Sequence, residues 1–327
     1  MPAPQDSPTS DPRPVVVMIA GPTASGKSAL AAAVAGACDG TVINADSMQV
    51  YRELSLLTAR PRGAELQAAP HRLYGTLPGA EACSAARWRD LAVAEVETAL
   101  AAGRLPILVG GTGLYLKVFE QGLSAVPEVP AAVRHAARAE LAALGNAAFH
   151  ARLAEHDPAM AARLGPGDSQ RLLRAWEVLS ATGRSLADWQ AIPGAAAPYR
   201  FVKLCLLPPR QLLYATCDAR LEAMLAMGAV EEVAALLALR LDPALPVMKA
   251  VGVPEFAAYL AAEIGLESAL AQAQQATRRY AKRQVTWLRH QFVGNDPAVM
   301  VMETQYSESC EYDFFAKIRQ NLLTVRG

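Results

Sequence analysis

The sequence predicts an α/β protein with a parallel, doubly wound sheet and an all-helical insertion. Apolar segments with the composition of buried strands lie at residues 14–20, 40–47, 105–109 and 201–207, and helix-forming segments separate them. Strands that alternate with helices favour a parallel sheet. At residues 122–199 the β-branched runs disappear, and Ala, Leu and Arg recur at helical spacing. This change in pattern predicts the helical insertion.

The first predicted strand leads into the motif Gly-x-x-x-x-Gly-Lys-Ser, and an alanine-rich helix begins at Ser28. In this context backbone N–H groups point into the loop, and the helix N-terminus adds positive charge. Lys27 is predicted to reach the outer phosphate, and the Ser28 hydroxyl to ligate Mg²⁺. The motif therefore predicts a P-loop that binds linked phosphates, without identifying the compound. Its residues are Gly21, Thr23, Ala24, Ser25, Gly26, Lys27 and Ser28.

The second predicted strand, residues 40–47, runs into polar residues and places Asp46 at its carboxyl end. Open α/β sheets bind ligands at this edge. A P-loop nucleotidase also needs a carboxylate at the end of an apolar strand to hold Mg²⁺, but the strand at 105–109 ends in Gly-Gly-Thr-Gly. Asp46 is therefore free to accept a substrate proton. The alternative is a helix N-cap or turn residue.

A helix predicted at 85–102 precedes the third strand. The glycines of the following 110–113 turn would let backbone N–H groups and the Thr112 hydroxyl approach an anion, the alternative being a tight strand-to-helix turn. A helix predicted at 210–239 carries Arg220, which could close over a diphosphate or remain an ordinary surface arginine. A long helix at about 266–291 ends the pattern.

Two helical segments carry sets of cations. In the long C-terminal helix, cations recur at i and i+4 from Arg278 onward and form one basic face. Such a face tracks an RNA backbone or is simply solvated. The insertion provides a second set: Arg134, Arg138, Arg152, Arg163, Arg171 and Arg174. Within it, segment 170–174 combines an amide with two guanidinium groups, a composition suited to base edges and phosphates.

Composition restricts the classes of function. With 31 basic and 31 acidic residues the chain is formally neutral, so a nucleic-acid site must be a local patch. No apolar run is long enough to span a bilayer, and the five cysteines show no C-x-x-C spacing, which argues against zinc and disulfide frameworks. Residues 1–13 are rich in Pro, Ser and Asp and lack the features of a targeting signal, so we expect a disordered tail and a cytoplasmic location.

Eight segments, in this order, resemble the tRNA dimethylallyltransferase (tRNA isopentenyltransferase) family of bacterial type. They are GPTASGKS, NADSMQVYREL, TARP, PHRLYG, LVGGTGLYLK, DSQRLLRAWEV, KAVGVPE and AKRQVTWLRHQ. The resemblance extends from about residue 15 to about residue 292. Only the phosphate loop is decisive alone, but the order and spacing of the segments are specific.

The resemblance implies transfer of a dimethylallyl group from dimethylallyl diphosphate to N6 of the adenine on the 3′ side of the anticodon, with release of diphosphate. The P-loop would then hold a prenyl diphosphate with Mg²⁺, not ATP. Asp46 matches the family's general base. Lys27, Thr23, Thr112 and Arg220 would meet the charge that develops on the leaving diphosphate.

The resemblance also implies that tRNA is the partner of a monomeric protein with no membrane association. The segments that match tRNA-contacting positions are Asp46, Ser47, Met48 and Gln49, and Gln170, Arg171, Leu172, Leu173 and Arg174. The insertion at 122–199 would grip the anticodon stem, and segments 14–121 and 200–327 would form the α/β core.

Two rival hypotheses share the P-loop. A small-molecule or nucleotide kinase would use ATP and a second Mg²⁺ carboxylate, for which the sequence offers no good candidate. A non-catalytic RNA-binding protein could keep a decayed P-loop, but the intact Lys27-Ser28 pair and Asp46 argue against decay.

Overall fold

The structure is a computed structural model that describes residues 11–294 and 296–307. Residues 1–10 of the predicted disordered tail (1–13) lie outside the described residues. Cys310 and the end of the predicted 200–327 segment also lie outside them. The chain forms two compact units. One contains the described residues up to Glu120 and from Pro198 onward, and the other is Gln121–Ala197, against the 122–199 predicted from sequence.

The first unit is built on a sheet whose described strands are all parallel, in the order β3-β2-β4-β1-β5-β6. The strands are β1 Val15–Ala20, β2 Gly40–Asn44, β3 His71–Arg72, β4 Leu105–Gly110, β5 Arg200–Leu206 and β6 Val299–Met302. The central strands are almost wholly buried because helices cover both faces, which explains their unbroken apolar runs. The predicted parallel α/β fold is confirmed.

Helices α1 Lys27–Ala37, α2 Ala64–Ala68, α3 Ala85–Ala101 and α4 Gly113–Gln121 lie between the strands. Helix α1 packs Leu30 and Val34 against Val17 and Ile107 of the sheet. After β5 come α9 Arg210–Ala226, α10 Ala229–Ala238, a 3₁₀ turn at Pro246–Lys249, α11 Val253–Leu260 and α12 Leu266–Trp287, which continues as a π-helical turn over Leu288–Val293. None of the helices within the described residues has the length and apolar content that crossing a bilayer requires.

The structure departs from the sequence prediction in several places, and two of them have a clear physical reason. The single helix predicted at 210–239 is wrong, because Gly228 adopts a left-handed conformation (φ 101°) that ends α9 and starts α10. The edge strands β3 and β6 were not predicted, since they contain only 2 and 4 residues and lack the apolar length of the inner strands.

The second unit consists of α5 Ala131–His156, which bends at Gly145, followed by α6 Pro158–Ala161, α7 Ser169–Thr182 and α8 Leu186–Gln190. Phe149, Leu153 and Leu172 belong to its apolar core. Trp176 donates its indole N–H to Glu140 at 3.0 Å, and Arg152 stacks over its ring. All three arginines Arg138, Arg152 and Arg163 are exposed, but Arg152 is engaged by contacts within the unit.

A substitution at Gly110, at the end of β4, tests the packing of the sheet. An added Cβ would lie 2.1 Å from the carbonyl oxygen of Ala45. We expect Gly110→Ala to lower the free energy of unfolding by about 1–3 kcal/mol or more, measured by urea denaturation. Gly36→Ala is the control, because its Cβ would have no atom closer than 3.8 Å and should stabilise α1 by up to about 1 kcal/mol. Equal stability of Gly110→Ala and wild type would contradict this packing.

Candidate active site

The P-loop occupies the turn between β1 and α1, where the sequence places it. Gly21 is required at its start, because a Cβ there would lie 2.6 Å from Ser25 Oγ. The Lys27 amine donates to the carbonyl of Pro22 at 3.2 Å, so the side chain folds back over the loop. Ser28 is partly exposed in the first turn of α1. Lysine and serine therefore both lie at the helix N-terminus, where backbone N–H groups favour an anion.

Asp46 follows β2 and is held by Asn44. The Asp46 N–H donates to Asn44 Oδ1 at 2.8 Å, and the Asn44 amide donates to the carbonyls of Asp46 and Leu73 at 3.0 Å each. Asp46 Oδ1 accepts the N–H of Met48 at 2.9 Å, which forms an Asx turn. Among the described residues no hydrogen bond is made to Oδ2. Asp46 is therefore a turn residue that still has one carboxylate oxygen available to a substrate.

The Gly-Gly-Thr-Gly segment is a closely packed turn. An added Cβ on Gly111 would lie 2.2 Å from Gln284 Nε2, and one on Gly113 would lie 2.0 Å from the Trp287 ring. Neighbouring side chains of α12 therefore explain these glycines without an anion. Thr112 Oγ1 accepts the N–H of Ser47 at 2.9 Å and donates to Ser47 Oγ at 3.2 Å. Thr112 thus fixes the segment that carries Asp46.

Gln284 connects this turn to the P-loop and was not predicted as a site residue. Its side-chain oxygen accepts the N–H of Thr23 at 2.8 Å, and its amide donates to the carbonyl of Gly111 at 3.0 Å. The side chain is 5% exposed. A glutamine on the buried face of α12, in line with Thr277 and Ala281, was the available signal, because buried amides need partners.

Arg220 is half-buried beside the P-loop, where its guanidinium donates a hydrogen bond to the Thr23 hydroxyl. It is therefore not an ordinary surface arginine. A cavity of about 260 Å³ opens here. Asp46, Thr23 and Arg220 form a polar part of its wall, and an apolar part comes from Leu57, Cys217, Leu221 and Met224. The lining of the cavity thus suits a small ligand with an anionic head and an apolar tail.

The electrostatics of the cavity are dominated by burial. Burial lowers the pKa of Lys27 to about 8, with the charge of Asp46 opposing this shift and that of Arg220 adding to it. Burial also raises the pKa of Tyr280, and the negative charge of Asp46 raises it further. Tyr280 therefore stays neutral. A bound anion would raise the pKa of Lys27 again, because an opposite charge favours the cationic form.

The remaining predicted residues fall into two groups. Ser47 and Met48 line the cavity, but Gln49 is 8% exposed and donates both amide hydrogens within the protein, to the carbonyls of Thr58 (2.7 Å) and Ala59 (3.1 Å). In the second unit, Gln170, Arg171 and Arg174 are exposed and Leu173 is half-buried. Leu172 is fully buried in the core, so neither its side chain nor its backbone is exposed for an RNA contact.

The basic face of α12 is also present. Arg278 pairs with Asp218 at 2.6 Å, whereas Arg279, Lys282, Arg283 and Arg289 are exposed. No group of three or more His, Cys, Asp or Glu side chains within the described residues is arranged to hold a metal ion.

Comparison with known proteins identifies relatives over nearly the whole chain. The profile of the IPP transferase family matches residues 49–291. The tRNA dimethylallyltransferase of Paramagnetospirillum magneticum is 57% identical over 97% of this chain and 99% of its own. That of Rhodospirillum rubrum is 59% identical over 94% of both chains.

Two solved structures extend the comparison to the fold. The tRNA isopentenylpyrophosphate transferase of Bacillus halodurans has a TM-score of 0.67 and 30% identity, covering 96% of this chain and 100% of its own. A eukaryotic dimethylallyltransferase acting on tRNA has a TM-score of 0.77 and 25% identity, covering 94% and 77%. The resemblance inferred from the sequence is confirmed, and the chain belongs to the tRNA dimethylallyltransferase family of prenyl-transferring enzymes.

Proposed function

We propose that this enzyme transfers the dimethylallyl group of dimethylallyl diphosphate to N6 of the adenine on the 3′ side of the tRNA anticodon and releases diphosphate. The observation that carries the proposal is the cavity that Asp46, Thr23 and Arg220 share with an apolar wall. A phosphate-binding loop, a free carboxylate oxygen and a small apolar surface are the groups that an allylic diphosphate and an amine acceptor require.

The head of the substrate is assigned to the P-loop. Lys27, the Thr23 hydroxyl and Arg220 supply charge and hydrogen-bond donors to the diphosphate, and the loop residues Gly21, Ala24, Ser25 and Gly26 supply backbone. Donors fixed before the reaction stabilise the charge that develops on the leaving group. Thr112 contributes through its hold on Ser47, and a direct contact with the diphosphate stays a prediction.

The site offers a ligand for Mg²⁺, since Ser28 lies in the first turn of α1 and lines the same pocket as Lys27. Mg²⁺ is commonly held by one or two protein oxygens and completed by substrate phosphates and water. We therefore propose that Ser28 and the diphosphate hold Mg²⁺, which when bound would neutralise part of the phosphate charge.

In the transfer step, the N6 lone pair forms a bond to C1 of the dimethylallyl group while the bond from C1 to the diphosphate oxygen breaks. The electron pair of that bond leaves with the diphosphate. Asp46 accepts the proton that N6 releases, through the carboxylate oxygen that no described residue occupies. The apolar wall of Leu57, Leu221 and Met224 keeps water from the reacting carbon.

The tRNA is the acceptor, and its adenine must leave the stack to reach the cavity. We assign the anticodon stem to exposed arginines of the second unit and part of the RNA backbone to the exposed cations of α12. Ser47 and Met48, which line the cavity beside Asp46, are the proposed contacts to the base. We place the reaction in the cytoplasm and expect a monomer.

A kinase is disfavoured by a specific contact. The Mg²⁺-binding carboxylate of a P-loop kinase would be expected at the end of an apolar strand such as β4, where Gly110 stands and a Cβ would lie 2.1 Å from the Ala45 carbonyl oxygen. Incubating the protein with labelled dimethylallyl diphosphate, ATP and unmodified tRNA tests the proposal. Label in the tRNA without ATP consumption supports it, and phosphate transfer from ATP without prenylation refutes it.

Asp46→Asn tests the proton acceptor. The substitution preserves shape and the hydrogen bond from Met48 but removes the basic oxygen, so we expect turnover to fall by about 10²–10⁴-fold with unchanged tRNA affinity. Single-turnover transfer and filter binding measure the two quantities. Asp90→Asn, in an exposed position of α3, is the control and should behave as wild type. Wild-type turnover by Asp46→Asn would remove Asp46 from the mechanism.

Lys27 predicts a pH dependence. Its pKa is lowered to about 8 in the free protein, so the cation is present below that pH and is lost above it. We expect kcat/KM for dimethylallyl diphosphate to fall as pH rises through about 8, while kcat stays level to higher pH because the bound anion holds the proton. In Lys27→Met, kcat/KM should no longer fall as pH rises through about 8, and about 3 kcal/mol of transition-state stabilisation should be lost. A kcat/KM that stays level to pH 10 would contradict the assignment.

Arginines of the second unit test tRNA binding. Replacing Arg134 and Arg138 by Ala should weaken binding of all substrate tRNAs alike and reduce the salt slope by about one unit per lost phosphate contact. Arg171→Ala should lower turnover more than affinity, because it disturbs how the adenine is presented. Filter binding over a salt series and single-turnover transfer measure both. An unchanged salt slope in the double variant would remove these arginines from the RNA interface.

A further inference from the structure

Residues 55–60, here termed the wall loop, separate the cavity at Asp46 from the outer face of the P-loop. Leu57 and Thr58 line the cavity. Leu56, Ala59 and Arg60 line a second pocket, which also contains Lys27 and Ser28. Arg220 and Met224 of α9 border both spaces. The wall loop and α9 together therefore define where a molecule that extends from the P-loop into the apolar part of the cavity can lie.

The start of the wall loop is bound to a carboxylate from a distant part of the chain. Glu232, in the first turn of α10, accepts three consecutive backbone N–H groups. Its Oε1 lies 2.6 Å from the Ser55 nitrogen and 2.7 Å from the Leu56 nitrogen, and its Oε2 lies 2.9 Å from the Leu57 nitrogen. Hydrogen bonds to a charged acceptor are stronger than neutral ones, so this contact fixes the backbone that carries Leu57.

The other end of the wall loop is held by Gln49, whose amide donates to the carbonyls of Thr58 and Ala59. At this second anchor Ala59 has a φ of 52°, a conformation that residues with a side chain seldom adopt without support. Leu57 also packs closely on Gly252, since a Cβ there would lie 2.8 Å from Leu57 Cδ2. The conformation of the loop thus depends on side chains outside it.

We propose that Glu232 is a positioning residue for the prenyl diphosphate, acting through the wall loop without touching the substrate. The inference rests on the proposed function, because the cavity must hold an allylic diphosphate. Loss of the three hydrogen bonds would let Leu57 and Thr58 move from the cavity wall and Arg60 from the P-loop side. Glu232 then affects use of the prenyl diphosphate, while tRNA binding depends on other surfaces.

Glu231 provides a matched control. It is the preceding residue in the same first turn of α10 and is exposed. Replacing either glutamate by glutamine removes one negative charge from the N-terminus of α10. Both substitutions also replace one carboxylate oxygen with an NH₂ group, which cannot accept a backbone N–H, but only at Glu232 do the carboxylate oxygens accept N–H groups of the wall loop. The difference between the two variants therefore isolates the contact with the wall loop.

Steady-state kinetics of the full chain are the test. We expect Glu232→Gln to raise KM for dimethylallyl diphosphate roughly tenfold or more relative to Glu231→Gln, with a smaller change in kcat and the same Kd for tRNA. Hydrogen exchange should become faster at residues 55–57 in Glu232→Gln and stay unchanged in Glu231→Gln. Equal KM values in the two variants would overturn the proposal.

A wild-type measurement covers the case in which Glu232→Gln does not fold. Dimethylallyl diphosphate should slow hydrogen exchange in a peptide spanning residues 55–60 of the unaltered protein, and no change there would refute the proposal. Wild-type transfer activity separates the two claims. A wild type that prenylates tRNA, with variants of equal KM, rejects the role of Glu232 alone, whereas an inactive wild type rejects the proposed function.

Discussion

The side chain of Gln284 makes the interaction on which the site depends. Its two hydrogen bonds join the loop after β1, through the Thr23 N–H, to the loop after β4, through the Gly111 carbonyl. The sheet order places β2 on the other side of β4, and Thr112 binds the Ser47 N–H beyond β2. Three neighbouring parallel strands therefore end in loops that are tied to one another, which brings phosphate-binding groups and Asp46 to one cavity.

The same packing explains why a P-loop here serves a different chemistry. Gly110 lies so close to the Ala45 backbone that no side chain fits at the end of β4, and the available carboxylate is instead Asp46, one strand away. One carboxylate oxygen of Asp46 stays free, because the Met48 N–H binds the other oxygen and Asn44 accepts the Asp46 backbone N–H. A carboxylate in this position faces the cavity and suits proton transfer from a substrate.

Much of the fold was predictable because the buried strands are short apolar runs and the P-loop motif occurs between a strand and a helix. Asp46 and Lys27 were predicted from strand ends and motif chemistry, and their roles stay predictions. Gln284 and Glu232 were missed, since each acts on backbone atoms more than 170 residues away in sequence, and such contacts leave no periodic signal. The glycines of the 110–113 turn were identified, but the structure explains them by contacts with Ala45, Gln284 and Trp287.

In the proposed function the diphosphate lies on the P-loop, where Arg220 borders both spaces, and the reacting carbon lies in the cavity that Asp46 lines. A crystal structure with an unreactive dimethylallyl thiodiphosphate tests it most directly. We expect diphosphate oxygens within about 3 Å of Lys27 Nζ and the Thr23 hydroxyl, with C1 facing the free oxygen of Asp46 and the methyl groups against Leu221 and Met224. A diphosphate bound away from Lys27, or a prenyl chain outside this cavity, would contradict it.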